Sequence, residues 1–143
     1  MTEVVFWALL SLLNWDKSGD DTAVIEPVII ALSEKSAEEI LQFEDILAEK
    51  LHSLDTISHA KEIGEDSFVD EMKYFSADWF LYARCVVVAN GNELYKEVLS
   101  HPKEFPKDME FEALLSIGPS QVFRIITFHW HFMLRERIFY ILY

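Results

Sequence analysis

Cysteine is nearly absent from this sequence, since Cys85 is the only one among 143 residues. A lone cysteine cannot form an internal disulfide, and this favours a reducing compartment. The chain has instead 51% hydrophobic and 14% aromatic residues. A single domain over residues 1–143 can bury about two thirds of the surface of its unfolded chain. We therefore expect a packed core that needs neither a disulfide nor a metal.

A long uncharged hydrophobic run is also missing. The most apolar stretch, residues 125–134, has ten residues without Lys, Arg, Asp or Glu, whereas a spanning helix needs about 20. The start, MTEVVFWALLSLLNW, is apolar, but Glu3 stands where a signal peptide carries basic residues, and no small-residue cleavage site follows. The sequence predicts no transmembrane segment and a cytoplasmic location.

Positive charge is scarce in most of the chain. Residues 1–112 hold 24 Asp and Glu against 9 Lys and Arg, a formal charge of −15, whereas residues 113–143 carry +2. Such a body is repelled by phosphate backbones and anionic membranes, so we expect no nucleic-acid partner. A basic protein is a suitable partner. The simpler interpretation, that the charge serves solubility, stays open.

Helical periodicity dominates what is present. SAEE at 36–39 is a capping box, and Ile40, Phe43, Leu47, Leu51 and Leu54 then form one apolar face, with the charged residues, Lys50 among them, largely elsewhere. Residues 4–15 predict a first helix that is apolar on more than one side and therefore deeply buried. The sequence predicts a mainly α fold, a single-domain orthogonal helical bundle.

Four further segments complete the predicted fold. A second helix is expected over about 23–33, with Pro27 in its first turn. Asp55 or Thr56 caps a short helix that ends at Gly64. Residues 65–75 are predicted to be a polar connector. Ser76 is predicted to cap a helix that carries Trp79 to Val88, and after the break at residues 90–92 a short helix runs to Pro102.

The middle of the chain resembles a bacterial family known as domain of unknown function 4240. The resemblance rests on FWALL near the start, the SAEEILQFEDILAEKL helix, the Asp55–Thr56 pair, the aromatic run of residues 75–82, and Gly91 with Tyr95 after it. It spans residues 3–119 and implies a small, cytoplasmic, mostly helical bacterial protein. No catalytic residue or activity comes with it.

The tail, residues 120–143, departs from that family. Instead of a polar end, the chain runs QVFRIITFHWHFMLRERIFYILY. The alternation of Ile126, Phe128, Trp130 and Phe132 predicts a short C-terminal β element. We interpret the tail as a core element, an interface between copies in a homo-oligomer, or the product of an altered reading frame.

Metal and cofactor signals are weak. His129 and His131 share a face only on a strand, and two ligands are too few for zinc, which takes three or four. No HExxH, CxxC or P-loop spacing occurs. Cys85 lies within an apolar helix, where burial makes a thiol inert. We expect no metal and no cofactor.

The best polar cluster for a ligand or partner lies in the middle of the chain. Asp55 and His59 are spaced i and i+4, which on a helix places them on one face. Near them in sequence is an aromatic-rich segment with a few polar groups, the composition of a ligand pocket. The candidate site residues are Asp55, His59, Tyr74, Asp78, Trp79 and Arg84. Capping and structural ion pairing are the competing interpretation.

Two functions follow as hypotheses. The first is a non-enzymatic protein-interaction module, whose acidic body binds a basic protein, as proteins that neutralise toxins do. The second is a small-ligand-binding protein or an enzyme with an aromatic pocket around Trp79. No nucleophile with a partnering base is visible, so the first is favoured.

Overall fold

The computed structural model describes residues 1–63, 68–70, 74–75 and 77–106. Helices dominate these residues, which confirms the predicted mainly α class. The elements are helices α1 (Glu3–Leu10), α2 (Asp21–Ser33), α3 (Ala37–Ser53), α4 (Ile57–Ala60), α5 (Ala77–Ala89) and α6 (Asn92–Ser100), strands β1 (Phe68–Asp70) and β2 (Tyr74–Phe75), and 3-10 turns at Trp15–Lys17 and Pro102–Glu104.

Side-chain caps start several of these helices. Thr2, Asp20 and Thr56 accept hydrogen bonds from the first turns of α1, α2 and α4. The capping box predicted for α3 is confirmed: Ser36 Oγ accepts from the Glu39 N–H at 3.2 Å, and Glu39 Oε2 accepts from the Ser36 N–H at 3.0 Å. Each bond satisfies a backbone donor that the first helical turn leaves free.

Two predictions about the first helices are wrong. Helix α1 ends at Leu10 rather than near residue 15, because the chain turns there and Asn14 N–H donates to the Val24 carbonyl of α2 at 2.9 Å. Pro27 lies in the second turn of α2, not the first. Its ring nitrogen has no hydrogen to donate to the carbonyl four residues earlier, and the helix continues through it.

The core forms where α1, α3, α5 and α6 meet. Phe6 of α1 packs on Phe43 of α3 with ring centroids 4.9 Å apart. Helix α5 contributes Val86, Val87 and Val88, three β-branched residues that are helical here. Gly91, at φ +98°, makes the sharp break between α5 and α6. The largest fully buried side chains are Phe6, Leu54, Phe80, Val87, Val88, Val98 and Phe105.

A small hairpin replaces part of the predicted polar connector. Strands β1 and β2 pair antiparallel, with Phe68 opposite Phe75 and Asp70 opposite Tyr74, and the register shifts between the two pairs. Alternation over so few residues is too short to distinguish a strand from a loop in sequence. The predicted C-terminal β element, Gly64 and the whole tail lie outside the described residues.

Candidate functional site

His59 is held in place by the residue that caps its own helix. Thr56 Oγ1 accepts the His59 backbone N–H at 3.3 Å and lies 2.7 Å from the ring atom Nδ1. The His59 side chain is buried, and its other ring nitrogen, Nε2, lies 3.1 Å from the Val98 carbonyl of α6. A carbonyl oxygen only accepts, so in this contact Nε2 is the donor.

The Val98 carbonyl needs this donor because of the sequence that follows it. In a continuing helix its partner would be the N–H of residue 102, but residue 102 is proline and has none. His59 therefore supplies the hydrogen bond that Pro102 removes, and it ties α4 to the end of α6. The geometry gives His59 a structural task that occupies both ring nitrogens.

Arg84 performs a similar task at the end of α3. It lies in α5, is 8% exposed, and its Nη1 donates to the Leu51 carbonyl at 3.1 Å. Its Nε donates to Phe80 O at 3.4 Å, and the guanidinium lies 4.6 Å from the centroid of the Phe80 ring. The Leu51 carbonyl is among the last carbonyls of α3, which lack helical partners. A cation there also matches the negative end of the helix dipole.

Asp55 completes this arrangement from a half-exposed position. Its Oδ2 forms an ion pair with Arg84 Nη1 at 3.1 Å, and its side chain is 49% exposed. The predicted i, i+4 arrangement of Asp55 and His59 on one helix face is wrong, because α4 begins at Ile57, after Asp55. The structure thus brings Asp55 to Arg84, and it brings His59 to Thr56 and Val98.

The remaining candidates are placed only in part. Tyr74 lies in β2 and Asp78 in the first turn of α5, and their side chains are outside the description. Trp79, also in α5, is partly buried and packs against the core. A ligand pocket beside Trp79 stays a prediction.

Lys50 is the buried ionic residue that the sequence prediction missed. It was expected away from the apolar face of α3, but it is only 6% exposed. Its ammonium lies 2.7 Å from Glu3 Oε1 of α1 and 3.4 Å from Glu49 Oε1, and 5.8 Å from the centroid of the Tyr95 ring. Burial acts to lower the pKa of Lys50, but the hydrogen bond and charge of Glu3 outweigh it and raise the pKa.

A spacing signal for Lys50 exists in the sequence. Residues 43, 47, 50 and 54 follow at steps of four, three and four, so Lys50 lies on the same helical face as Phe43 and Leu54. Trp7 packs beside this group, with its ring 5.4 Å from that of Tyr95. Among the described residues, its buried indole N–H has no hydrogen-bond partner.

Within the described ranges, no three His, Cys, Asp or Glu side chains are grouped so that they can hold a metal ion. His129 and His131 lie beyond those ranges. None of the described helices combines the length and the hydropathy that a bilayer crossing requires.

A known family model matches most of the chain. The model of the family described as "Protein of unknown function (DUF4240)" matches residues 1–123. The chain belongs to this family. The predicted resemblance is thereby confirmed, and nearly all of the divergent tail lies past the matched residues of the DUF4240 protein. No curated protein and no solved structure matched the chain.

Proposed function

We propose that this DUF4240 protein is a non-enzymatic interaction module that binds a basic protein partner in the cytoplasm. The observation that carries the proposal is the unequal burial of its two kinds of charge. Lys50 and Arg84 are buried and ion-paired, whereas acids such as Glu38, Asp45 and Glu49 are exposed. The surface is therefore more acidic than the composition alone implies, and such a surface steers a basic partner.

Helix α3 shows this most clearly. Glu38, Leu41, Asp45 and Glu49 are exposed and spaced by three, four and four residues, so they form one line along the helix. We call these four residues the α3 acidic strip. The only Lys or Arg of the helix, Lys50, points into the protein. Glu38 and Asp45 thus face solvent without a cation of α3 in the same line, whereas Glu49 lies 3.4 Å from the Lys50 ammonium.

The chemistry of the other candidate residues favours binding over catalysis. A general base needs a nitrogen or oxygen free to reach substrate. Both ring nitrogens of His59 already have partners, and Arg84 is bonded to two backbone carbonyls. These contacts give His59 and Arg84 roles in holding the helices together. This supports a protein that acts by binding through its surface.

The test is capture of a partner by the tagged full chain from its own host's lysate, at low and at high salt. We expect a stoichiometric basic protein that is retained at low salt and released at high salt. The variant Glu38→Gln/Asp45→Asn/Glu49→Gln lacks the acids of the strip. It should lose the partner while keeping its circular dichroism spectrum. Empty captures at both salts, or a partner indifferent to salt and to the triple substitution, would overturn the proposal.

A further inference from the structure

The outer face of α1 is apolar and exposed, contrary to the expected deep burial of this helix. Val4 is 78% exposed, Val5 38%, and Leu12, in the turn that follows, 42%. Ala8 is exposed between them. Val4, Val5 and Ala8 lie on one side of α1 by helical spacing, and Leu12 is exposed just after the helix ends. We call these four residues the α1 apolar strip. Their opposite side, Phe6, Leu9 and Leu10, is buried.

Two acids lie at the start of α1, where this helix meets α3. Glu3, next to Val4 in sequence, binds the Lys50 ammonium at 2.7 Å, and Glu49 of the α3 acidic strip binds it at 3.4 Å. Both carboxylates remain more than half exposed, at 58% and 67%. One buried cation therefore joins the two strips and neutralises only one of the two negative charges.

Exposed apolar side chains near exposed acids favour a ligand that carries positive charge beside its apolar groups. An anionic membrane is repelled by the exposed carboxylates, although the apolar strip by itself would suit it. A second copy would bring the same acids to the contact, and like charges oppose that pairing. A helix with leucine side chains on one face and lysines or arginines beside them can contact the α1 apolar strip with the first and the α3 acidic strip with the second.

We propose that the α1 apolar strip and the α3 acidic strip together form the docking surface for a basic amphipathic helical segment of a partner protein. This inference rests on the proposed function and adds the surface and the form of the partner. The apolar anchors would lie over Val4, Ala8 and Leu12, and the cations would lie toward Glu3 and Glu49.

The test uses the full chain and a fluorescent Leu/Lys peptide with leucines at i, i+3, i+4 and i+7, with a scrambled peptide of the same composition for comparison. Val4→Ser/Leu12→Ser should weaken binding at least about tenfold, since few anchors dominate such interfaces. The matched control is Ile57→Ser/Leu99→Ser, two exposed side chains of α4 and α6, which should change affinity less than about twofold.

The charge arm compares two triple substitutions. Glu38→Gln/Asp45→Asn/Glu49→Gln should weaken binding and flatten its salt dependence. Glu93→Gln/Glu97→Gln/Glu104→Gln, which removes exposed acids near α6, should do so much less. Equal losses of affinity in the two triple variants, or equal binding of the scrambled peptide, would mean that the whole acidic surface attracts the peptide and that no docking surface exists.

The remaining outcomes identify other occupants. Binding to phosphatidylglycerol vesicles in place of the peptide would indicate a membrane surface. Self-association in sedimentation equilibrium that Val4→Ser/Leu12→Ser abolishes would indicate a second copy. A clear loss of thermal stability in that variant would show that this chain itself covers the strip. Each result overturns the inference.

If the captured partner still binds Val4→Ser/Leu12→Ser but not Glu38→Gln/Asp45→Asn/Glu49→Gln, the proposed function stands and only the docking surface is wrong.

Discussion

Asp55 and Arg84 form one ion pair, but their side chains contribute unequally to stability. Arg84 is buried and also satisfies the Leu51 carbonyl, whereas Asp55 is half exposed. We expect Arg84→Met to lower the free energy of unfolding by about 2–3 kcal/mol, because it leaves a carbonyl unpartnered. Asp55→Asn should cost at most about 1 kcal/mol, because water screens the pair. Urea denaturation measures both, and equal losses would show that the ion pair outweighs the carbonyl bonds.

Cys85 provides a second residue-scale prediction. Burial raises the pKa of its thiol to about 11, although the nearby Arg84 acts in the opposite direction. At pH 8 only about one thiol in a thousand is then ionised, and access is blocked as well. We expect the folded protein to react with Ellman's reagent only as fast as it opens, and the urea-unfolded chain to react at once. Rapid labelling of the folded chain would contradict the buried position of α5.

At the scale of elements, the end of α6 depends on a histidine from another helix. His59→Phe keeps an aromatic ring but leaves the Val98 carbonyl without a donor, so we expect a loss of about 1–3 kcal/mol in the free energy of unfolding. In a Pro102→Ala background, residue 102 regains an N–H and the cost of His59→Phe should be smaller. A double-mutant cycle measures this difference. Full additivity would show that His59 and Pro102 do not share the Val98 carbonyl.

The start of α3 predicts a dependence on pH. The Ser36 backbone N–H, and then its hydroxyl, hydrogen-bond to Glu39 and lower the pKa of this carboxyl below its ordinary value of 4.5. A lowered pKa in the folded state gives stability that is present above the unfolded value and lost as pH falls through the folded value. The stability difference between the wild type and Glu39→Gln should therefore be constant well above pH 4.5 and shrink as the pH falls below 4.5. A difference independent of pH would contradict the capping box.

At the scale of the whole molecule, local sequence patterns predict where helices form, but they do not predict which side chains of those helices are buried. The capping box, the Gly91 break and the apolar face of α3 are encoded within a few residues, and the structure confirms them. Burial depends on what packs from elsewhere. The sequence predicts Lys50 largely away from the apolar face of α3, but Lys50 is buried. It predicts α1 to be deeply buried, but Val4 is exposed.

The candidate site shows the same limit. Sequence proximity suggests an Asp55–His59 pair, but Thr56 is the residue that caps α4, so Asp55 precedes the helix and lies off the face of His59. The partners they do have, Arg84 for Asp55 and the Val98 carbonyl for His59, come from α5 and α6. No local pattern encodes contacts of that range, although Pro102 indicates that the end of α6 needs an outside donor.

We propose that exposed acids on this protein steer a basic partner onto it. The most direct measurement is the association rate constant of the purified complex with its captured partner, followed by stopped-flow fluorescence over a series of salt concentrations. We predict that the rate constant falls at least about tenfold from low to high salt. The Glu38→Gln/Asp45→Asn/Glu49→Gln variant should begin low and change little. A rate constant that is the same for both proteins at every salt concentration would contradict the account.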